Sequence, residues 1–199
     1  MPPLPKTVPP EIASPAAFNT AAAEHGWPIL CDETLQFEHA MLGELLKLWQ
    51  SEAANGVPAR TAMTARKLQP FMRNIALYER IGEGAQRRYR VRLLGSGIVQ
   101  YYGELTGKFI EEVVPERFLD RWYGVSDLPL LSKQAARFLL RADTFDKSYM
   151  VAEYFCAPLM SESGLTKFVL LGMIFDGKRP WADVEAEART KLGLTPPAG

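Results

Sequence analysis

Apolar and polar positions alternate most cleanly across Arg88–Leu94 (RYRVRLL). Successive strand side chains point to opposite faces, so Tyr89, Val91 and Leu93 form an apolar face and Arg88, Arg90 and Arg92 a cationic one. One wet face marks an antiparallel strand rather than a buried parallel one. Gly95 and Gly97 break the strand, residues 98–102 give little more than one helical turn, and Gly103 stops it. Leu105-Thr106-Gly107 makes a further turn. Upstream, Ile75–Ile81 reads as a strand and Gly82-Glu83-Gly84-Ala85 as a hairpin turn, which pairs it with the alternating segment. A second hairpin is predicted from residues 149–160 and 167–176, joined by a turn at 161–164. KFVLLGMIFD is the most apolar of these strands and is expected at the centre of the sheet.

Helical spacing appears in other segments. Leu35, Leu42, Leu45, Leu46 and Trp49 recur on one side of a predicted helix over residues 33–54, with Glu38, Glu44 and Lys47 elsewhere. Asp32 is its expected N-cap, Met41 and Leu48 widen the apolar arc, and Asn55-Gly56 followed by Pro58 ends it. The stripe is too wide for solvent and must pack on its own domain or on a second subunit. Residues 60–74 connect this helix to the first strand, with a short helical pattern at Leu68, Phe71 and Met72. Pro115 opens a helix over 116–123, 125–140 is predicted as a longer helix interrupted near Pro129, and 138–145 is expected to include a short strand or its approach. Pro180 opens a C-terminal helix, Trp181–Leu192. Pro2, Pro3, Pro5, Pro9, Pro10, Pro15 and Pro28 crowd the start of the chain, so residues 1–30 are expected to form a Pro-rich extended tail. The order is helix, hairpin, short helices, hairpin, helix. It predicts an α+β fold, an antiparallel sheet with helices on one face plus N-terminal and C-terminal helices. The space between such a sheet and its short helices commonly becomes a pocket.

Composition narrows the function classes. The 199 residues carry 23 basic and 23 acidic side chains, a net charge of +0, whereas nucleic-acid binders usually show a basic excess. The opening MPPLPKTVPP lacks the apolar core of a signal peptide, and the longest apolar run, 168–175, is too short to span a bilayer. A cytoplasmic protein without membrane contact is expected. Cys31 and Cys156 form no CxxC pair, which predicts two buried thiols in a reducing compartment. Gly95-x-Gly97-x-x-Gln100 falls one glycine short of a dinucleotide fingerprint. It follows a half-exposed strand and opens a helix too short for that role, so its glycines read as backbone corners.

Several pieces of the chain, kept in order, resemble the PAS domains, and among them a divergent bacterial group of mostly single-domain proteins. They are Leu48-Trp49 followed by Val57-Pro58-Ala59-Arg60, then Tyr89-Arg90-x-x-Leu93-x-Gly95-x-x-Ile98-Val99, then Gly103-x-Leu105-Thr106-Gly107, and finally the hairpin from Ala157-Pro158-Leu159 to Gly172. The resemblance spans about residues 42–176 and implies a PAS-like domain over 57–177. A helix at 31–56 precedes it and a C-terminal helix and tail at 178–199 follows. The segment Met63-Thr64-Ala65-Arg66-Lys67 lacks the acidic residue and proline the group tends to carry, and 116–148 is longer and more charged.

The resemblance implies a sensory or protein-interaction module. A haem would need an axial ligand, most often histidine. His25 and His39, the only two, lie away from the implied pocket. No cysteine sits in the helix a photoactive flavin would require, and no metal site is indicated, so no cofactor is predicted; an unidentified small-molecule ligand remains open. Candidate ligand-binding residues are Tyr78, Val99, Tyr102, Trp122 and Tyr154, with Tyr101 and Tyr149 among the other aromatics. Leu42, Leu45, Leu46 and Trp49 are candidate dimer contacts, giving a homodimer or an unknown signalling partner as the route of output. The alternative is an isomerase- or hydratase-like enzyme on a cone-shaped α+β fold using Glu153 as general base; a ligand-free scaffold is a third reading. The stripe Arg88, Arg90, Arg92 reads as a phosphate- or RNA-binding surface or, more simply, as a wet face with acidic cross-strand partners such as Glu79.

Overall fold

The computed structural model describes residues 8–53, 56–142, 150–177 and 179–194. In chain order the elements are α1 (Pro15–Glu24), β1 (Ile29–Asp32), α2 (Ala40–Glu52), α3 (Ala65–Leu68), β2 (Ile75–Ile81), β3 (Arg88–Leu94), α4 (Ser96–Tyr102), α5 (Ile110–Val113), α6 (Glu116–Ser132), β4 (Ala136–Arg141), β5 (Val151–Met160), β6 (Thr166–Asp176) and α7 (Trp181–Leu192), with 3-10 turns before and after α3. The strands form one antiparallel sheet in the order β1-β4-β5-β6-β2-β3. Hairpins β2–β3 and β5–β6 join through β2 and β6, so the strand that opens the first hairpin lies beside the strand that closes the second. This is an α+β fold built on one antiparallel sheet, with β1 added outside β4.

Strand periodicity explains how the sheet buries both faces. On β6, Val169, Leu171 and Met173 enter one core with Tyr78, Tyr89, Val91, Tyr154 and residues of α1, α4, α5 and α6. The alternate residues Phe168 and Leu170 enter a second core with Leu42, Leu45 and Trp49 of α2. A smaller cluster joins Leu30 and Leu139 to Val184 and Ala188 of α7. The helices between the hairpins therefore share one face, the inner one. Helices α2 and α7 cover the outer face, and the sheet is the middle of three layers.

Three sequence expectations change here. The described part of the proposed tail, from Ser14 onward, is folded. Pro15 is the first residue of α1, where its missing N–H is no loss, and the Ser14 hydroxyl caps the helix by accepting from Ala17 N. The Asn19 side chain bonds both the N–H and the C=O of Cys31, at 2.8 and 2.9 Å, tying α1 to β1. Helix α2 begins at Ala40, not near residue 33. Asp32 ends β1 and accepts from Thr34 N instead of capping a helix. The predicted helix over 125–140 stops at Ser132: α6 runs unbroken from Glu116 through Pro129, Lys133 turns the chain at φ 58°, and Ala136–Arg141 is a strand. There the alternation of Ala136, Phe138 and Leu140 with Arg137 and Leu139 is a strand period. The predicted start of β5 at Tyr149 lies outside the described residues. Among the described residues no helix is long and apolar enough to cross a membrane.

Gly95 shows why one corner must be glycine. Its φ is −69°, open to any residue; a Cβ there would stand 2.3 Å from the carbonyl oxygen of Met72 and 2.5 Å from that of Arg73. The backbone leaving β3 lies against the turn that enters β2, and Gly95 N bonds Ile75 O at 2.8 Å. Gly95→Ala should lower the urea-unfolding free energy by about 1–3 kcal/mol, the usual range for overpacking. Gly43→Ala, within α2 and facing open space, should raise it by about 0.5–1 kcal/mol.

Candidate functional site

The inner face carries a small, partly open cavity. Strand parity aims Tyr78 of β2, Tyr154 of β5 and Leu171 and Met173 of β6 toward the helices. Helix α4 contributes Tyr102, and Arg121, Trp122, Val125 and Ser126 of α6 form the roof. The cavity measures about 30 Å³, close to the share of liquid volume held by one water molecule. Aromatic rings fill the remaining space. Tyr78 stacks on Trp122 at 6.4 Å between centroids, Tyr102 meets the same indole edge-on at 5.5 Å, and Phe175 packs edge-on against Tyr102 and Tyr154. The hydroxyls of Tyr102 and Tyr154 share a 2.6 Å hydrogen bond. Burial, with Tyr102 beside it, raises the Tyr154 hydroxyl well above its ordinary range, and burial does the same for Tyr78. Both are neutral hydrogen-bonding groups around pH 7.

Four of the five ligand-binding candidates, Tyr78, Tyr102, Trp122 and Tyr154, thus meet at one place. Val99 does not line the cavity, although it lies one turn before Tyr102 on α4. Arg121 and Ser126 were missed; they share a face with Trp122 and Val125 only when α6 is one continuous helix. Arg121 is buried with its guanidinium 5.0 Å from the Phe118 ring centre. Ile29 and Leu140 also line the cavity, and both were hidden by treating their segments as tail and helix.

A buried ion pair fixes the roof. Arg87, just before β3, holds both carboxylate oxygens of Asp127 on α6, from Nε at 2.9 Å and from Nη2 at 2.8 Å. The Tyr89 hydroxyl donates to the same carboxylate. The remaining Arg87 donors reach the carbonyls of Gly84 at 3.0 Å and Pro9 at 2.7 Å. The guanidinium also lies 5.2 Å from the Tyr123 ring centre.

The other candidates lie elsewhere. Glu153 faces the outer side of the sheet, away from the cavity. Its two oxygens accept the amides of Glu38 and His39, each at 3.0 Å, at the start of α2, and Arg137 Nε donates to it at 2.5 Å. Three donors hold this carboxylate as a helix-capping group, outside the inner cavity in which the enzyme reading needs its base. Leu42 and Leu45 are fully buried against the chain's own sheet, resting over Gly172, and Trp49 donates its indole N–H to Pro158 O at 2.9 Å. These three are therefore internal core rather than dimer contacts; Leu46 is half-buried beside them. Trp49 is architectural, and Arg60 stacks over Phe168 at 5.3 Å. The arginine stripe divides. Arg88 is buried against Glu111 and the Phe109 ring, Arg90 donates to Gly107 O at 3.0 Å, and Arg92 lies 3.6 Å from Glu79, which also pairs with Lys167 at 2.7 Å. Cys31 and Cys156 are both buried, and burial raises both thiols.

Asp127→Ala strands the Arg87 charge inside the protein and should cost about 3–5 kcal/mol of unfolding free energy; an Arg87→Met, Asp127→Leu double variant should regain most of that loss. Asp32 supplies an acid-pH prediction. Burial raises its carboxyl, but the Thr34 hydrogen bonds and Arg137 outweigh burial and hold it below the ordinary carboxylate range. A depressed folded pKa stabilises the fold above the unfolded value and loses that contribution as pH falls through the folded value. Urea titrations from about pH 6 to about pH 2 should show a shallower acid loss for Asp32→Asn than for the parent.

No protein-family model and no curated protein matches this chain. Among solved structures it is similar to an RNA-binding light-oxygen-voltage receptor, at 14% sequence identity and a TM-score of 0.39 over 67% of this chain. The match covers 38% of that receptor's chain.

Proposed function

We propose that this protein is a PAS-like sensory or interaction module that binds a small, largely apolar molecule in its inner cavity. The reading is carried by one observation: Tyr78, Tyr102, Trp122 and Tyr154 come from four different elements and converge on one pocket. Its roof helix is held both by the Arg87–Asp127 ion pair and by the buried apolar side chains Leu119, Tyr123, Val125, Leu128 and Leu130. At about 30 Å³ the cavity is far below the roughly 300–1,000 Å³ of ordinary ligand pockets. Binding therefore requires the half-buried Trp122 to swing or α6 to lift. A ligand that binds only the lifted state shifts the balance between the two, which is the physical content of sensing. The Tyr102–Tyr154 hydroxyl pair supplies a polar contact for an otherwise apolar guest.

Within this reading the chain belongs to a bacterial signalling system, as the PAS resemblance implies, and its output passes to a second copy or to a partner protein. With Leu42, Leu45 and Trp49 occupied internally, a homodimer would use other surfaces. Light scattering on the 22.3 kDa chain distinguishes a homodimer from a monomer that works through a partner.

Native mass spectrometry of the purified protein should show a retained small molecule, or, for protein isolated empty, one or more small aromatic compounds should raise its Tm by about 2–4 °C. Val125→Phe, which fills the cavity from the roof, should abolish both signals. Bare chain mass together with no Tm response across such a panel would overturn the proposal.

A further inference from the structure

A groove of about 300 Å³ lies on the outer face, between the segment around α3 and the sheet. Helix α2 packs on β5 and β6. The chain then crosses to β2 and β3, where α3 is only four residues long and too short to cover the strands beneath it. Leu77 and Leu93 are cross-strand partners in the outer core, and both remain half-buried. Met72 beside them is 37% exposed. Met63, Leu68, Met72, Leu77, Leu93 and Leu170 form the apolar walls, and the volume falls at the lower end of the range for small-molecule sites. Methionine side chains adapt readily to the shape of an occupant.

Among the described residues that line the groove, Arg60 alone is charged. It is exposed, so its N–H donors are open to an incoming group. The face of the Phe168 ring, 5.3 Å away, positions the guanidinium without consuming those donors. Among the described residues Arg60 pairs with no carboxylate. Glu79, the register partner of Phe168, already holds Lys167 at 2.7 Å and lies 3.6 Å from Arg92. Glu52 is engaged by Lys67 at 2.7 Å. Residues 53–74 carry Arg60, Arg66, Lys67 and Arg73 and no acidic residue. Such a one-sided distribution attracts anions to this side of the sheet. The polar liners besides Arg60 are Thr61 and Thr64, and Thr64 Oγ1 already accepts from Lys67 N at 3.3 Å. An occupant with polar groups along its length would leave them unbonded against the leucines and methionines.

We propose that this groove binds a medium-chain aliphatic carboxylate, with its tail against Leu68, Leu77 and Leu93 and its carboxylate on Arg60. The apolar walls account for the tail, and the exposed guanidinium at their margin accounts for a single anionic head. The site is independent of the inner cavity: Leu77 and Tyr78 are neighbours on β2 and enter opposite cores.

Calorimetric titration of the full chain with octanoate tests the proposal, beside hexanoate for a shorter tail and octylamine for the opposite charge. Hexanoate should bind about 10-fold more weakly than octanoate, because two methylenes are lost from the groove. Octylammonium should bind about 10-fold more weakly as well. Arg60→Glu, at an exposed position, should reverse the preference between octanoate and octylammonium with circular dichroism unchanged. Ala65→Phe, which narrows the groove from α3, should weaken octanoate about 10-fold or more, whereas Val125→Phe in the inner cavity should leave it as it is. Octylammonium or hexanoate binding as tightly as octanoate would overturn the proposal. So would an unaltered preference in Arg60→Glu, loss of octanoate binding in Val125→Phe but not in Ala65→Phe, or no saturable octanoate binding up to about 5 mM.

Discussion

The placement of α6 depends on the Arg87–Asp127 ion pair, and the inner cavity depends on α6. A carboxylate with no exposed surface is tolerable only when its charge is matched and its oxygens are occupied. Asp127 satisfies both conditions through the bidentate guanidinium and the Tyr89 hydroxyl. Because Arg87 also holds Gly84 O and Pro9 O, a single side chain aligns the β2–β3 turn, the N-terminal segment and the roof helix. Directional bonds of this kind act together with the apolar contacts of α6 to set where Trp122 sits over Tyr78. The buried pair specifies geometry more than it adds stability.

Strand β5 connects the two faces. Glu153 and Tyr154 are neighbours in sequence and point to opposite sides of the sheet. One caps α2 and holds Arg137; the other lies in the cavity with its hydroxyl on Tyr102. A displacement of β5 caused on one side is therefore felt within one residue on the other. The outer helices are not passive covers. The start of α2 is anchored on a side chain from the strand that lines the cavity, and Leu42 and Leu45 rest where Gly172 leaves room on β6.

Much of this was legible in the sequence because period and breaker residues agreed. The hairpins at β2–β3 and β5–β6, the central position of β6, the short α4 and the start of α7 all follow from alternation bounded by Gly or Pro. The convergence of Tyr78, Tyr102, Trp122 and Tyr154 followed once the sheet and short helices were placed. What stayed hidden depended on partners distant in sequence. Pro15 and Pro28 read as tail because the Asn19 clamp on Cys31 and the pairing of β1 with β4 cannot be seen locally. Strand β4 was only partly legible, as a short strand at 138–145, because Leu139 and Leu140 extend a helical stripe as easily as a strand. Glu153 looked like a lone acid in an apolar strand; its partners are the amides of residues 38 and 39 and a guanidinium two strand-positions away. Composition likewise carries no trace of the outer groove, whose lining comes from β2, β3, β5, β6 and the segment around α3.

Strand β3 contains one more residue than β2 requires. Leu77 pairs with Leu93 while Tyr78 pairs with Val91, so Arg92 bulges out between them. Before the bulge, Tyr89 and Val91 face the inner core; after it, Leu93 faces the outer layer and Leu94 the inner. The simple alternation visible in RYRVRLL is therefore broken by one step of phase. That half-turn also delivers the chain to Gly95 at the correct angle to enter α4. The number of residues in β3, rather than their hydrophobicity, thus keeps both layers in register. A single insertion or deletion here would exchange the strand's two surfaces, whereas substitution at the exposed Arg92 would leave them in place.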